Sequence, residues 1–369
     1  MTEPDVFVGM DVHKSCIIVA FADAGRNGEI RRYGEIANSP EAVARLVKKI
    51  GSRHRAAEYV YEAGPCGYVL FRQLTGLGAS CRVVAPGRTP QAPTDRIKND
   101  TRDAEKLARL ARAGELTYVW VPDPVHEAMR DLVRARYVAA KDVRNARAHV
   151  QMFLLRLGVR YDGKGWSGRH RTWLSDRRFE HSGQRIAFQS FLNRVEQAEA
   201  RKTQLETQIA ALCPAWALSP VVTALQALKS VGLVIAATLV AEIGDFARFP
   251  SPRHLMAWLG LVPGEHSSGG SIRQRGITKA GNMAARSLLF EAAWSYRTTP
   301  KVGQWQTAHR PELEQEFKDI AWKAQLRLNS RYRRLVARGK RSNVAITAIA
   351  RELVGFIWDI ARRIVPATN

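Results

Sequence analysis

The stretch VFVGMDVHKSCIIVAFAD, residues 6–23, contains two apolar runs separated by a short polar connection. We interpret VFVGM and CIIVAFAD as two β-strands, because short runs rich in Val and Ile and bounded by polar residues are typical of strands. A turn signal follows at residues 25–28, and EIRRYGEIA from Glu29 supplies a third strand candidate. Three strands joined by such short connections predict an antiparallel meander.

Helix and strand patterns alternate after the meander. Helical periodicity covers about residues 40–50 and 68–76, and short apolar runs typical of strands lie at residues 58–61 and 81–84. A meander followed by alternating helices and strands predicts a mixed α/β sheet in the first third of the chain.

The chain is strongly basic. Among its 369 residues, 57 are Lys or Arg and 34 are Asp or Glu, which gives a formal net charge of +23 and a pI near 10.4. A charge of this size favours a polyanionic partner, since it concentrates nucleic acid near the protein and neutralises phosphates. The length favours two or three domains.

Several classes of protein are disfavoured by the same sequence. The four cysteines have no CxxC spacing, which argues against a zinc site or a disulfide framework. No segment approaches the roughly 20 apolar residues that a membrane span needs. The first residues contain no basic stretch followed by an apolar core, so we expect no secretory signal and a cytoplasmic protein without a membrane partner.

Four carboxylates are the candidates for catalysis. Asp11 follows the first apolar run, Glu62 ends another, and Asp100 and Asp103 are three residues apart at a helix start, where they share a face. Carboxylate oxygens bind Mg²⁺, and two metal ions activate a nucleophile and stabilise a leaving oxygen in phosphoryl transfer. The residues alone also allow Asp100 and Asp103 to cap a helix and complement its dipole, and Asp11 to be a turn residue.

The segments GMDVHK, YEAGPCGY and IKNDTRDAEKLARL resemble the three signatures of the DEDD-type insertion-sequence transposases. The N-terminal domain of that family is similar to the RuvC Holliday-junction resolvase, with a ribonuclease-H-like fold. The resemblance implies that Asp11, Glu62, Asp100 and Asp103 form the family's metal-binding tetrad, with Mg²⁺ as the cofactor. Residues 225–286 resemble the family's transposase domain, so the likeness covers nearly the whole chain.

The same resemblance implies a nucleophilic serine. The motif match places it at Ser268, with Ser267 as its immediate neighbour. Without the family, a Ser-Ser-Gly-Gly run is typical of a flexible turn. Arg273, Arg275 and Lys279 lie close in sequence, where they would either stabilise a pentavalent phosphate or form a solvated face that contacts phosphates.

A long basic helical arm is predicted in the middle of the chain. Helical patterns cover about residues 125–157 and 188–212, and we expect these helices to pack antiparallel, with a loop-rich basic insertion at residues 160–185 between them. Arginines combined with Trp166 and Trp173 suit phosphates and exposed bases, and the alternative is a buried tryptophan pair that anchors the insertion. The arm residues that we predict to bind nucleic acid are Arg144, Arg147, Arg169 and Arg171.

The expected organisation has four parts. They are an α/β ribonuclease-H-like (RuvC-like) domain at residues 1–124, the helical arm at residues 125–213, a mainly α transposase domain with a helix-hairpin-helix and the serine loop at residues 214–310, and C-terminal helices at residues 311–369. The resemblance further implies donor and target DNA, a noncoding guide RNA, and a homodimer that assembles to a tetramer.

Three functions are compatible with these features. The first is an RNA-guided DNA recombinase that forms a covalent serine–DNA link with the assistance of Mg²⁺. The second is a RuvC-like nuclease that hydrolyses DNA junctions with metal-activated water, in which the serine is only structural. The third is a non-catalytic nucleic-acid-binding protein whose carboxylates are caps and turn residues.

Overall fold

The computed structural model describes residues 3–25, 27–90, 99–265, 274–303 and 313–364. The chain divides into two compact units, one that ends at Val121 and one that begins at Pro122. The finer division of residues 125–369 into an arm, a transposase domain and C-terminal helices stays a prediction.

The N-terminal unit is built on a five-stranded mixed sheet with the strand order β3-β2-β1-β4-β5. Strands β1, β2 and β3 are antiparallel, while β4 and β5 run parallel to β1. The predicted meander and mixed α/β sheet are therefore confirmed. The strands are β1 (Val6–Val12), β2 (Cys16–Asp23), β3 (Ile30–Ala37), β4 (Ala57–Glu62) and β5 (Ser80–Val84), and the helices are α1 (Pro40–Gly51), α2 (Val69–Gly76) and α3 (Asp100–Ala113).

The two faces of strand β1 pack against different helices. Val6, Val8 and Met10 are buried in one core with residues of α1 and α2, such as Leu46 and Leu74. Successive strand residues point to opposite faces, so Gly9 belongs to the other face, which helix α3 covers. Because its residues alternate between the two faces, the seven-residue strand β1 packs against α1 and α2 on one side and against α3 on the other.

Gly9 allows helix α3 to lie unusually close to strand β1. A β-carbon at this position would be 2.1 Å from the backbone oxygen of Ala104 and 2.5 Å from the backbone nitrogen of Ala108. Both distances are shorter than any van der Waals contact, and both involve backbone atoms that cannot rotate away. Only glycine is therefore compatible with this packing of α3 on the sheet.

The second unit begins with a long antiparallel helix pair, which we call the arm and define as residues 124–213. Helix α4 (Pro124–Arg156) packs along α6 (Ser182–Leu212), and the ion pairs Arg136–Glu206 and Arg147–Glu199 show that the two helices run in opposite directions. The prediction of a loop-rich insertion at residues 160–185 is wrong in part. Helix α5 (Gly168–Ser175) lies there, because the Ser167 side chain accepts a hydrogen bond from the backbone N–H of His170 and starts the helix.

The remainder of the second unit is mainly helical, as predicted. One large apolar core joins the base of the arm to the later helices. The elements after the arm are α7 (Ser219–Leu225), α8 (Leu233–Ile243), α9 (Pro252–Trp258), β6 (Pro263–Glu265), β7 (Gln274–Ile277), α10 (Met283–Ala293), and two C-terminal helices at Gln315–Ala337 and Ser342–Arg363. The connection between α7 and α8 contains Ser230, Val231 and Gly232.

In the described ranges, no single helix is both long and apolar enough to cross a membrane. Helix α6 with its extension to Ala215 satisfies a test of length and composition only when it is taken together with α7, and the chain bends by 118° between the two.

The substitution Gly9→Ala should destabilise the N-terminal unit by about 1–3 kcal/mol, because the new β-carbon forces α3 away from the sheet. We expect faster amide hydrogen exchange in β1 and α3 and a lower urea midpoint. Gly51→Ala is the matched control, since no atom lies within 4 Å of a β-carbon at this last residue of α1. If both variants unfolded alike, the contact between Gly9 and α3 would not limit stability.

Candidate active site

Two of the predicted carboxylates lie at the carboxyl ends of adjacent parallel strands. Met10 of β1 is in register with Tyr61 of β4, so Asp11 and Glu62 are the next residues along their two strands. Strand ends at the same edge of a sheet hold their side chains close together. The hydroxyl of Thr89 donates a hydrogen bond of 2.7 Å to Oε1 of Glu62 and thereby orients this carboxylate.

The other two carboxylates belong to the first turn of helix α3. The N-cap is Asn99, whose side chain accepts a hydrogen bond of 3.0 Å from the backbone N–H of Thr101. Neither Asp100 nor Asp103 therefore caps the helix, although both lie where a negative charge complements the helix dipole. The Asp100 carboxylate instead lies 3.6 Å from Nε2 of His13.

His13 is a site residue that sequence reasoning missed. Its Nε2 lies 3.1 Å from Oδ2 of Asp11, so the ring stands between the carboxylates of Asp11 and Asp100. One potential ligand atom from each of these three residues lies within 4.8 Å of the others. The sequence signal that could have identified His13 is its spacing from Asp11, because residues two apart at a strand end project to the same side.

All four predicted carboxylates line one open groove. The groove has a volume of about 820 Å³ and also contains His13 and Thr89. The cationic side chains on its wall come from helix α3 and are Arg102, Lys106 and Arg109. A groove with a carboxylate centre and a cationic wall fits a phosphodiester, because the wall attracts the anion and the carboxylates hold the cations that its reaction requires.

The electrostatics of the groove fit a divalent cation. Burial raises the pKa of Asp11 above its ordinary value, the nearby His13 opposes this shift, and the charges of Asp100 and Asp103 add to it. The carboxylates therefore repel one another in a partly desolvated place, and a bound cation would relieve this repulsion. Carboxylate oxygens with one imidazole form a donor set that Mg²⁺ or Mn²⁺ accepts.

The predicted nucleophile, Ser268, lies outside the described residues, as do Ser267 and Arg273. The described flanks of that segment form a two-stranded antiparallel ribbon, in which Pro263 of β6 is in register with Ile277 of β7. Arg275 lies on β7, and Lys279 follows it. Both side chains are exposed.

The base of this ribbon is fixed by close backbone packing. Gly260 has a φ of +67°, and a β-carbon there would be 1.8 Å from the backbone oxygen of Ala280. The backbone N–H of Lys279 donates to the oxygen of Gly260, and Arg286 donates to the oxygens of Leu259 and Ala280. These contacts hold together the two chain segments that enter and leave the ribbon, a feature that the sequence pattern did not reveal.

Two of the predicted nucleic-acid-binding arginines of the arm share an internal partner. Arg147 and Arg171 both donate hydrogen bonds to Oε1 of Glu199, with Nη2 distances of 2.5 and 2.9 Å. Burial by itself would raise the pKa of Glu199, but the hydrogen bonds from the two arginines outweigh burial and hold this pKa below its ordinary value. The two guanidinium groups therefore join α4, α5 and α6 at the end of the arm. Arg144 and Arg169 are exposed.

The two tryptophans of the insertion are both half-buried against the apolar core at the end of the arm. The Arg147 guanidinium lies 4.9 Å from the ring centre of Trp166, and the ring of His170 stacks on Trp173 at 5.6 Å. The alternative of a tryptophan pair that anchors the insertion agrees with this packing.

Comparisons with known proteins find relatives for both units. Residues 8–158 match the DEDD transposase family of IS110 elements, described as Transposase, and residues 222–310 match the family described as Transposase IS116/IS110/IS902 family. The putative transposase y4qE of Sinorhizobium fredii (strain NGR234) is 48% identical over 97% of this chain and 89% of its own length. The transposase for insertion sequence element IS1533 of Leptospira borgpetersenii is 30% identical over 91% of this chain and 98% of its own length.

The variants Asp11→Asn and Asp100→Asn should each weaken Mn²⁺ binding by about tenfold or more, since each removes a charged ligand from the cluster. Titration calorimetry would measure this, with Glu105→Gln as the control because Glu105 lines the groove outside the cluster. Protons compete with the metal, and the raised pKa of Asp11 means that this competition begins at a higher pH than for an ordinary carboxylate. Equal losses in all three variants would indicate diffuse negative charge instead of a metal site.

Proposed function

The chain belongs to the IS116/IS110/IS902 transposase family and is a DNA transposase, and we propose that it cuts and rejoins DNA through a serine–DNA intermediate with the assistance of Mg²⁺. The observation that carries the proposal is the groove in which Asp11, Glu62, Asp100 and Asp103 converge from three elements of the fold. Carboxylates that lie close together in one groove repel one another, burial and this repulsion together raise the pKa of Asp11, and bound cations would relieve the repulsion.

We propose that the N-terminal unit is a ribonuclease-H-like domain of the RuvC type. Its support is the sheet, in which three antiparallel strands are followed by two strands parallel to the first. A further support is the position of the carboxylates at the carboxyl ends of β1 and β4, where α/β sheets commonly bind ligands.

In this proposal Asp11, Glu62, Asp100 and Asp103 hold the metal, and His13 orients Asp11. Bound divalent cations would supply the positive charge that stabilises a phosphorane and its leaving oxygen. Arg102, Lys106 and Arg109 would hold the DNA backbone against the groove, since guanidinium and ammonium groups bind phosphates by charge-assisted hydrogen bonds.

The covalent step uses the hydroxyl of Ser268. Its oxygen forms a bond to a DNA phosphorus, the bond from phosphorus to the 3′ oxygen breaks, and the serine proton is passed on so that the departing strand ends in a 3′ hydroxyl. A 3′ hydroxyl of the other DNA then attacks the phosphoserine, which rejoins the strands and restores the serine. The exposed side chains of Arg275 and Lys279 beside this segment would neutralise the phosphate that is attacked.

We also propose that the chain binds a noncoding guide RNA through the arm. The exposed Arg144 and Arg169 of the arm offer cations to an RNA backbone, while Arg147 and Arg171 first serve the end of the arm itself. We propose a homodimer that assembles to a tetramer, in which the groove of one protomer acts together with Ser268 of another.

The substitution Ser268→Ala should abolish covalent protein–DNA adducts on DNA that carries the ends of the element, because no other side chain would form the phosphoester. Denaturing gels of labelled DNA would detect the adduct. Ser267→Ala is the matched control and should keep it. An adduct that survived in Ser268→Ala but not in Ser267→Ala would move the nucleophile by one residue.

The substitution Asp11→Asn should abolish strand cleavage while the protein still binds DNA, because it removes a metal ligand without a change of shape. Cleavage products in Mg²⁺ and DNA binding in a chelator would be measured for the same preparations. If Ser268→Ala cut strands normally and Asp11→Asn did not, a RuvC-like nuclease that uses water would replace the recombinase. If neither variant lost activity, the carboxylates would be structural.

A further inference from the structure

The N-terminal unit also has a cationic pocket, which lies at the end of the sheet opposite to the carboxylate groove. The pocket lies between strands β2 and β3 and the end of helix α1. It is rimmed by Arg31, Lys49, Arg53 and His54, and its floor is formed by Val6, Phe21, Tyr33 and Ile50.

This pocket is separate from the carboxylate groove in two respects. Val6 and Asp11 are at opposite ends of β1, and five residues of strand span roughly 16 Å. Phe21 of β2 lies opposite Val8 of β1, and Arg31 of β3 lies opposite Phe21. Both side chains are therefore on the face of the sheet that α1 covers and not on the face of α3. A molecule in the pocket would therefore touch none of the four catalytic carboxylates.

Two of the cations of the pocket, Arg31 and Lys49, are held in place by aromatic rings. The Arg31 guanidinium lies 4.9 Å from the ring centre of Phe21, and the Lys49 ammonium lies 4.7 Å from that of Tyr33. Such contacts reduce the entropy that a long side chain loses when it binds an anion. The pocket therefore combines pre-positioned charge with an apolar floor.

The neighbouring acids neutralise only one side of the pocket. Arg31 pairs with Asp23 at 2.6 Å and with Glu29 at 3.5 Å. Asp5 near His54 accepts hydrogen bonds from the backbone N–H groups of Arg55 and Ala56. Lys49 and Arg53 are exposed, and within the described ranges neither has a carboxylate at salt-bridge distance. These two side chains carry the charge that an incoming anion would meet.

We propose that this pocket binds the sugar–phosphate backbone of the DNA on which the transposase acts, at a place away from the reacting phosphate. Its volume of about 60 Å³ has room for a few water molecules, which suits one phosphate group and not a base. Lys49 and Arg53 take the phosphate, and the rings of Phe21 and Tyr33 contact the adjacent sugar. The site anchors the duplex without reading its sequence.

The proposal rests on DNA binding by the chain and not on the serine mechanism. The test compares the full-length double variant Lys49→Gln/Arg53→Gln with the matched control Arg45→Gln/Lys48→Gln. Both remove the same charge, and both control residues are exposed on α1 without lining the pocket. Affinity for a short DNA duplex of arbitrary sequence is measured against salt in a chelator, where strands are not cut.

The pocket variant should bind DNA several-fold more weakly, with a salt slope reduced by about 1 for each lost phosphate contact. The control should bind almost as well as the unchanged protein, and cleavage at saturating DNA should be the same for all three. Equal losses in both double variants would overturn the proposal in favour of diffuse charge. The same titration is made with an RNA duplex of the same sequence. If the pocket variant lost affinity for the RNA duplex only, the assignment to DNA would be overturned.

Discussion

The contact between helix α3 and Gly9 of strand β1 is the constraint on which the N-terminal site depends. A side chain at residue 9 would push away the backbone at Ala104 and Ala108, which lie four and eight residues after Asp100 in the same helix. Because an α-helix is stiff over this distance, the packing at Gly9 determines where Asp100 and Asp103 lie relative to Asp11. Gly9, which has no side chain, is thus part of the geometry of the carboxylate groove. The strand contributes one carboxylate directly, and it places two more through the absence of a side chain.

Much of the N-terminal fold could be predicted because its signals are local. Apolar runs and short turns predicted the meander, helix periodicity predicted α1 and α2, and Asp100 and Asp103 were expected at the start of the helix that is α3. The four carboxylates were found because each ends or begins an element. His13 was missed because it lies in the connection after β1, where the sequence pattern indicates only a turn. The alternative that Asp100 and Asp103 cap α3 is wrong, because Asn99 is the N-cap. Helix α5 was missed because the glycines around it indicate a loop, whereas the Ser167 cap decides the structure.

The arm shows what a sequence pattern leaves undetermined. An arginine on a helix face is compatible with a phosphate contact or with an internal ion pair, and only its neighbours in space distinguish the two. Glu199 is distant in sequence from Arg147 and Arg171, so their shared contact could not be read from either segment. The same holds for Gly260 and Ala280, whose close approach joins residues on both sides of the predicted serine loop. The role of a residue whose partner is distant in sequence becomes visible only in the three-dimensional structure.

The end of the arm has a small apolar core of its own, separate from the large core of the second unit. Phe153, Leu174 and Phe188 close this core, and the shared carboxylate of Glu199 fastens its three helices from outside. A segment that satisfies its own packing and its own charges unfolds and refolds as a local cooperative unit. Because the two cores share no buried residue, a change of length or sequence at the end of the arm need not disturb the packing of the large core. The same independence makes the end of the arm a natural module to exchange in an engineered chain.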